Sequence, residues 1–133
     1  MTYYVDFRHS GGMGERDVDR FLPLPASVMH ILVALADGEK HGYAIMRDVA
    51  AVSGGVVKMG SGTLYGSIKR MLDQHLIEEA EERPDAALDD QRRRYYRLTA
   101  LGRRVGAAEY DRLASLIDAA RLRRLGLILG GTS

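Results

Sequence analysis

The stretch from Gly60 to Ile77 constrains the fold more than any other in this chain. Leu64, Ile68, Met71 and Leu72 recur at helical spacing and make one apolar stripe. Ser61 suits the N-cap, where its hydroxyl can accept a backbone N–H that the first turn leaves unpaired. The other face carries Thr63, Ser67, Lys69 and Arg70, with the acid Asp73 near the far end. Small, hydroxylated and basic, that face has the composition of a helix that meets phosphate and base edges in a major groove. After His75 the pattern changes to a strand start at Leu76 and Ile77.

The segments on either side fit a helix-turn-helix with a wing. Pro23 and Pro25 bracket a helix start, and Ser27 is another candidate cap. Val28, Ile31, Leu32 and Leu35 then predict a core helix that ends near Asp37-Gly38, with Met29 and Val33 on other faces. His30 reads as a core or edge histidine, since no second His lies near it at metal-ligand spacing. His41-Gly42 opens a second helix through about Val52, stopped by Gly54-Gly55, and Val56 to Met59 is a short extended piece. A helix, a break and a second, basic helix is the helix-turn-helix order.

Ile77 to Glu82 reads as a strand and Arg92 to Leu98 as its antiparallel return, with Pro84 and Asp85 at the tip and Ala86 to Asp90 completing the loop. The outgoing strand and tip are acidic (Glu78, Glu79, Glu81, Glu82, Asp85, Asp89, Asp90); the return carries Arg92, Arg93, Arg94 and Arg97. Opposite charges facing across the ladder contribute up to about 1 kcal/mol each. Some of those arginines hold the hairpin together, and the rest, Arg92, Arg93 and Arg94 among them, can reach phosphate. Thr99 caps a last helix from about Ala100 to Leu125. Its stripe runs through Leu101, Val105, Ala108, Leu113, Leu116, Ile117 and Ala120. At 1.5 Å per residue the helix would span roughly 39 Å, longer than a body this size needs. An apolar face of that length predicts an association surface, and a symmetric dimer is the commonest solution.

Gly62-Thr63-Leu64-Tyr65-Gly66 with Lys69-Arg70 and Leu76-Ile77 resembles the recognition-helix signature of the PadR family of transcriptional regulators. His41-Gly42-Tyr43 with Ile45, and Tyr95-Tyr96-Arg97-Leu98-Thr99 followed by Gly102-Arg103, extend the resemblance from about Leu24 to Arg124. It implies an α+β, mainly helical fold: a winged helix-turn-helix followed by a long dimerising helix. It implies a homodimer on a palindromic operator in double-stranded DNA, usually as a repressor, and often a small aromatic or cationic effector near the dimer interface. Tyr43 and Tyr65 match the family's motifs, which implies DNA docking, pocket lining or both, and Lys69 matches its basic DNA-contacting position. The chain has no Trp, which some relatives place in the effector cavity. Where relatives often carry Pro, this chain has Ser61.

The expected organisation is an N-terminal extension over 1–21, a DNA-binding domain over 22–99, a dimerisation helix over 100–126 and a tail over 127–133. Tyr3, Tyr4, Val5 and Phe7 can form a short strand or a sticky arm, Ser10 to Gly14 is a flexible break, and the segment reads either as a disordered tail or as an arm that docks on a partner subunit or DNA. Glu15 to Arg20 can begin a helix. Gly66, inside a helix, reads either as close packing against the first two helices or as close approach to DNA. Tyr65 reads as a half-buried core ring, a phosphate contact, or both.

Catalysis is not expected. Adjacent strand carboxylates such as Glu78 and Glu79 point to opposite faces, and His75 has no partner motif. Gly60-x-Gly62 followed by Gly66 misses the common phosphate-loop spacings, and no Gly-x-Ser-x-Gly occurs. Without cysteine there is no disulfide framework or thiolate metal site, and no cofactor is implied. The longest apolar run, Val28 to Ala36, is too short for a membrane span, and Asp6 and Arg8 stand where a signal peptide needs its apolar core, so the cytoplasm is expected. The balance of 19 Lys and Arg against 18 Asp and Glu does not itself suggest nucleic acid. With an acidic wing, a winged-helix protein-interaction module without specific DNA binding is the alternative.

Overall fold

The computed structural model describes residues 15–81, 83–84 and 92–125. The expected arm at Tyr3 to Phe7, the break at Ser10 to Gly14, the wing residues Glu82, Asp85, Asp89 and Asp90, and the tail from Gly126 lie outside the described residues.

The elements are α1 (Glu15–Asp19), α2 (Ala26–Leu35), β1 (Lys40–His41), α3 (Gly42–Val52), α4 (Ser61–Asp73), β2 (Ile77–Glu79), β3 (Arg83–Pro84), β4 (Arg92–Arg93), β5 (Tyr95–Leu98) and α5 (Ala100–Leu122). Strands β1, β5 and β2 form an antiparallel sheet in that spatial order, and β3 pairs with β4 further along the hairpin. Helix, short strand, two helices, then a hairpin is a winged helix-turn-helix, mainly helical α+β, as expected. β1 is new: two residues cannot show the alternation by which strands are read.

The core forms around α2, whose Val28, Ile31, Leu32, Ala34 and Leu35 are all buried. Ile45 and Val49 of α3, Leu64, Ile68 and Met71 of α4, and Leu76 and Ile77 close over it. The cap expected at Ser27 is displaced: Pro25 takes the N-cap position without a side-chain cap bond, and Ser27 lies inside the helix. His30 donates its Nδ1–H to the Ala26 carbonyl at 2.7 Å, an edge histidine. His41 caps α3, its Nδ1 accepting the Ala44 N–H at 3.1 Å, which satisfies one orphan donor of the first turn.

Thr99 caps α5 as expected, its hydroxyl accepting the Gly102 N–H at 2.9 Å and donating to the His75 carbonyl at 2.6 Å. Gly102 is buried against Leu76, and a Cβ there would collide with the Leu76 carbonyl oxygen. The Thr99–Gly102 turn therefore fixes where the long helix leaves the wing.

α5 divides into two halves. Val105 is fully buried in the chain's own core and Leu101 packs against it, which corrects their assignment to a dimer surface. The reason is that the first turns of α5 lie on α2 and spend their apolar stripe there. Further along, Leu113 and Ala120 are half-buried, while Leu116 and Ile117 are 60% and 55% exposed. α1 packs on α5 and contributes Val18 to the core, so residues 15–21 of the expected extension belong to the folded body. Glu109, buried at 2% exposure, ties the two ends together. It accepts the Leu24 N–H at 3.1 Å and two bonds from the Arg112 guanidinium at 2.6 and 2.8 Å. The Arg112 hydrogen bonds hold its carboxyl below the usual range against the opposing effect of burial.

Candidate nucleic-acid interface

α4 is capped one residue earlier than the sequence predicts, at Gly60 in place of Ser61. Gly60 is the N-cap and makes no side-chain cap bond; Ser61 is the first helical residue and is exposed. From there 3.6 residues per turn sorts the helix into three arcs. Leu64, Ser67, Ile68 and Met71 are buried. Gly62, Gly66, Lys69 and Asp73 share the outward arc, and all four are exposed. Thr63, Arg70 and Gln74 form the shoulder nearer α2, and Tyr65 the shoulder nearer α3; these too are exposed.

Ser67 is a correction. It is 3% exposed and its hydroxyl donates to that of Ser27 at 3.2 Å, pinning α4 to the first turn of α2. A small hydroxylated residue at the edge of an apolar stripe serves either surface; here the neighbouring Ser27 satisfies it, so packing wins over DNA readout. Gly66 resolves the other way. Nothing lies within 4 Å of a Cβ built there or at Gly62, which overturns close packing and leaves bare backbone facing outward.

Tyr65 is half-exposed and leans on the start of α3. A Cβ on Gly42 would strike its hydroxyl, so glycine at 42 is what lets the ring lie there. Both expectations for Tyr65 fit this placement, a ring packed on one side and open on the other. Tyr43 is also half-exposed, and the Arg47 guanidinium stacks 5.0 Å from its ring centroid. Arg47 belongs to no motif in the sequence; its i,i+4 spacing from Tyr43 is the available signal. Two tyrosines and an arginine thus sit beside the N-terminal end of α3, where backbone N–H groups favour anions.

Lys69 is 80% exposed, and its Nζ lies 3.9 Å from Asp73, too loose and too solvated to neutralise it much. Arg70 has no ion pair among the described residues. On the wing, β2 and β5 place Glu78 opposite Arg97. Arg97 bonds Glu78 at 2.8 Å and reaches Glu39 at 3.4 Å, while Arg94 lies 3.7 Å from Glu79 and is largely exposed. Arg97 is hairpin glue, and Arg94 is partly so. The side chains of Arg92 and Arg93 lie outside what is described.

No cluster of His, Cys, Asp or Glu able to hold a metal occurs among the described residues. No helix among them is long and apolar enough to cross a membrane. Between α2 and α5 lies an apolar concavity of about 220 Å³, lined by Met29, Leu32, Val33, Leu98 and Tyr110, with Arg103 also on its wall.

Comparison with known proteins places this geometry. The model of the transcriptional regulator PadR-like family matches residues 31–108. A 37.1 kDa protein of transposon TN4556 from Streptomyces fradiae is 38% identical over 88 residues, 66% of this chain; the chain spans 23% of that protein's length. Among solved structures, a PadR family regulator of Clostridium difficile R20291 superposes with a TM-score of 0.62 at 20% identity, covering 74% of this chain and 97% of its own. Bacillus subtilis PadR in complex with operator DNA gives 0.54 at 22% identity, covering 68% of this chain and 48% of its own.

Proposed function

Because the chain belongs to the PadR-like family of transcriptional regulators, and so is not an enzyme, we propose that it binds a palindromic operator in double-stranded DNA as a homodimer and acts as a repressor. The observation that carries this reading is the outward arc of α4. It combines exposed Lys69, bare backbone at Gly62 and Gly66, and basic or phenolic groups on both shoulders. A helix 10–12 Å across fills a major groove about 12 Å wide, so glycines on the leading edge let the backbone approach while Lys69 meets phosphate or base. Ser61 and Thr63 stand at the end that enters the groove. The wing adds Arg94, with Arg92 and Arg93 beside it in sequence. The Bacillus subtilis relative was solved on operator DNA, which supports the same use here.

An acidic wing repels phosphate, which favours a protein-interaction module. Glu78 and Glu79 both have arginine partners, which lessens the repulsion that reading relied on.

A second copy would cover Leu113, Leu116, Ile117 and Ala120 in the outer half of α5. The concavity between α2 and α5 would accept a small aromatic effector; Arg103 on its wall disfavours a cation. Release of DNA by that effector completes the proposed cycle.

Fluorescence anisotropy on a duplex recovered by the protein from genomic fragments tests the reading. The affinity should fall with salt at a log–log slope of about −0.9 per neutralised phosphate, and Lys69→Ala should shallow it by about 2 units in a dimer. A slope and affinity untouched by Lys69→Ala would mean that α4 does not face DNA. Light scattering on Leu113→Asp with Leu116→Asp should show monomer or aggregate; a clean dimer would rule out the α5 interface.

A further inference from the structure

The shoulder of α4 nearer α2 borders a second concavity, of about 290 Å³. Leu24, Pro25 and Val28 supply its apolar side; Arg20, Arg70 and Gln74 supply its polar side. The Arg20 guanidinium stacks 5.1 Å from the Phe21 ring centroid, which restrains it beside the opening. Neither arginine makes an ion pair among the described residues, although Asp17 and Asp19 lie on the same short helix as the approach to Arg20. Neither aspartate lines the concavity. Two guanidinium groups on one concavity, with no carboxylate among its described lining residues, make a seat for an anion, and their planar forks match phosphate oxygens.

The seat is held in place from two sides. The Ser67–Ser27 bond fixes the first turn of α2 against α4, and Glu109 holds the Leu24 N–H. A helix that fills a major groove has a phosphate backbone against each shoulder, since groove and helix have nearly the same width. Tyr43, Tyr65 and Arg47 occupy one shoulder. We propose that Arg20, Arg70 and Gln74 receive a backbone phosphate of the strand on the other, so that the segment before the helix-turn-helix is part of the DNA footprint. Arg20 lies before residues 31–108, which the family model matches. The inference rests on the DNA-binding reading of α4.

The test uses the full chain and a duplex selected with the wild-type protein. Arg20 is exposed, so Arg20→Gln should fold, checked by an unchanged melting temperature. Its salt slope should be shallower than wild type by about 0.9 per protomer, and Arg20→Lys should restore most of the slope. A scan of neutral methylphosphonate linkages should find a flanking position that weakens wild type several-fold but leaves Arg20→Gln unaffected. Wild-type slope and affinity in Arg20→Gln would overturn the seat while leaving DNA binding by α4 intact. Failure of the wild type to hold any duplex would overturn both. If inorganic phosphate raises the melting temperature through Arg20 while no methylphosphonate position matters, the concavity takes a free anion and the proposal fails.

Discussion

Gly42 and Gly102 are buried, and a methyl group at either would meet the chain itself: the Tyr65 hydroxyl in one case, the Leu76 carbonyl in the other. Gly62 and Gly66 are exposed, and a methyl group there would meet nothing within 4 Å. In the sequence all four look alike, small residues inside motifs. The fold accounts for the first pair. It gives no reason for the second, because an exposed glycine in a helix interior costs about 1 kcal/mol relative to alanine. The contrast separates glycines that let the chain pack on itself from glycines that leave room for something else.

The largest effect should come from Gly102→Ala. The obstacle is backbone at the joint between the wing and α5, which cannot rotate away. A loss of about 3 kcal/mol or more is expected in urea unfolding. A loss below about 1 kcal/mol would show that the α5 joint slides and that the first class of glycine is not real.

Gly42→Ala should cost less, about 1–2 kcal/mol, because the obstacle is the end of a side chain. Tyr65→Phe removes the nearest atom, so the double variant should recover part of the loss in a double-mutant cycle. Strict additivity would mean that Tyr65 does not rest on α3.

These differences explain what could be read from the sequence. The spans of α2, α3 and α4 followed from apolar spacing, because those helices each bury one face. The start and the stripe of α5 were legible too, but not how that stripe is shared. Leu101 and Val105 turn inward because α5 lies on α2, a tertiary fact that periodicity cannot carry. Ser67 reads as a DNA-facing hydroxyl and Ser27 as a cap because each has its partner forty residues away. Glu109 sits beside an apolar stripe, and only the placement of Leu24 and Arg112 explains its burial. Arg20 and Arg47 carried no motif; their neighbours in space make them candidates.

The smallest structural change gives the most direct test. Gly66→Ala adds one methyl group on the outward arc of α4. The melting temperature and the affinity for the selected duplex should be measured on the same preparation. Stability should rise by about 0.5–1 kcal/mol, as for a glycine replaced in an exposed helix interior. Affinity should fall by about tenfold or more, equivalent to about 1.4 kcal/mol, because the helix can no longer approach as closely. A more stable protein that binds DNA as well as before would contradict the claim that this face of α4 meets DNA.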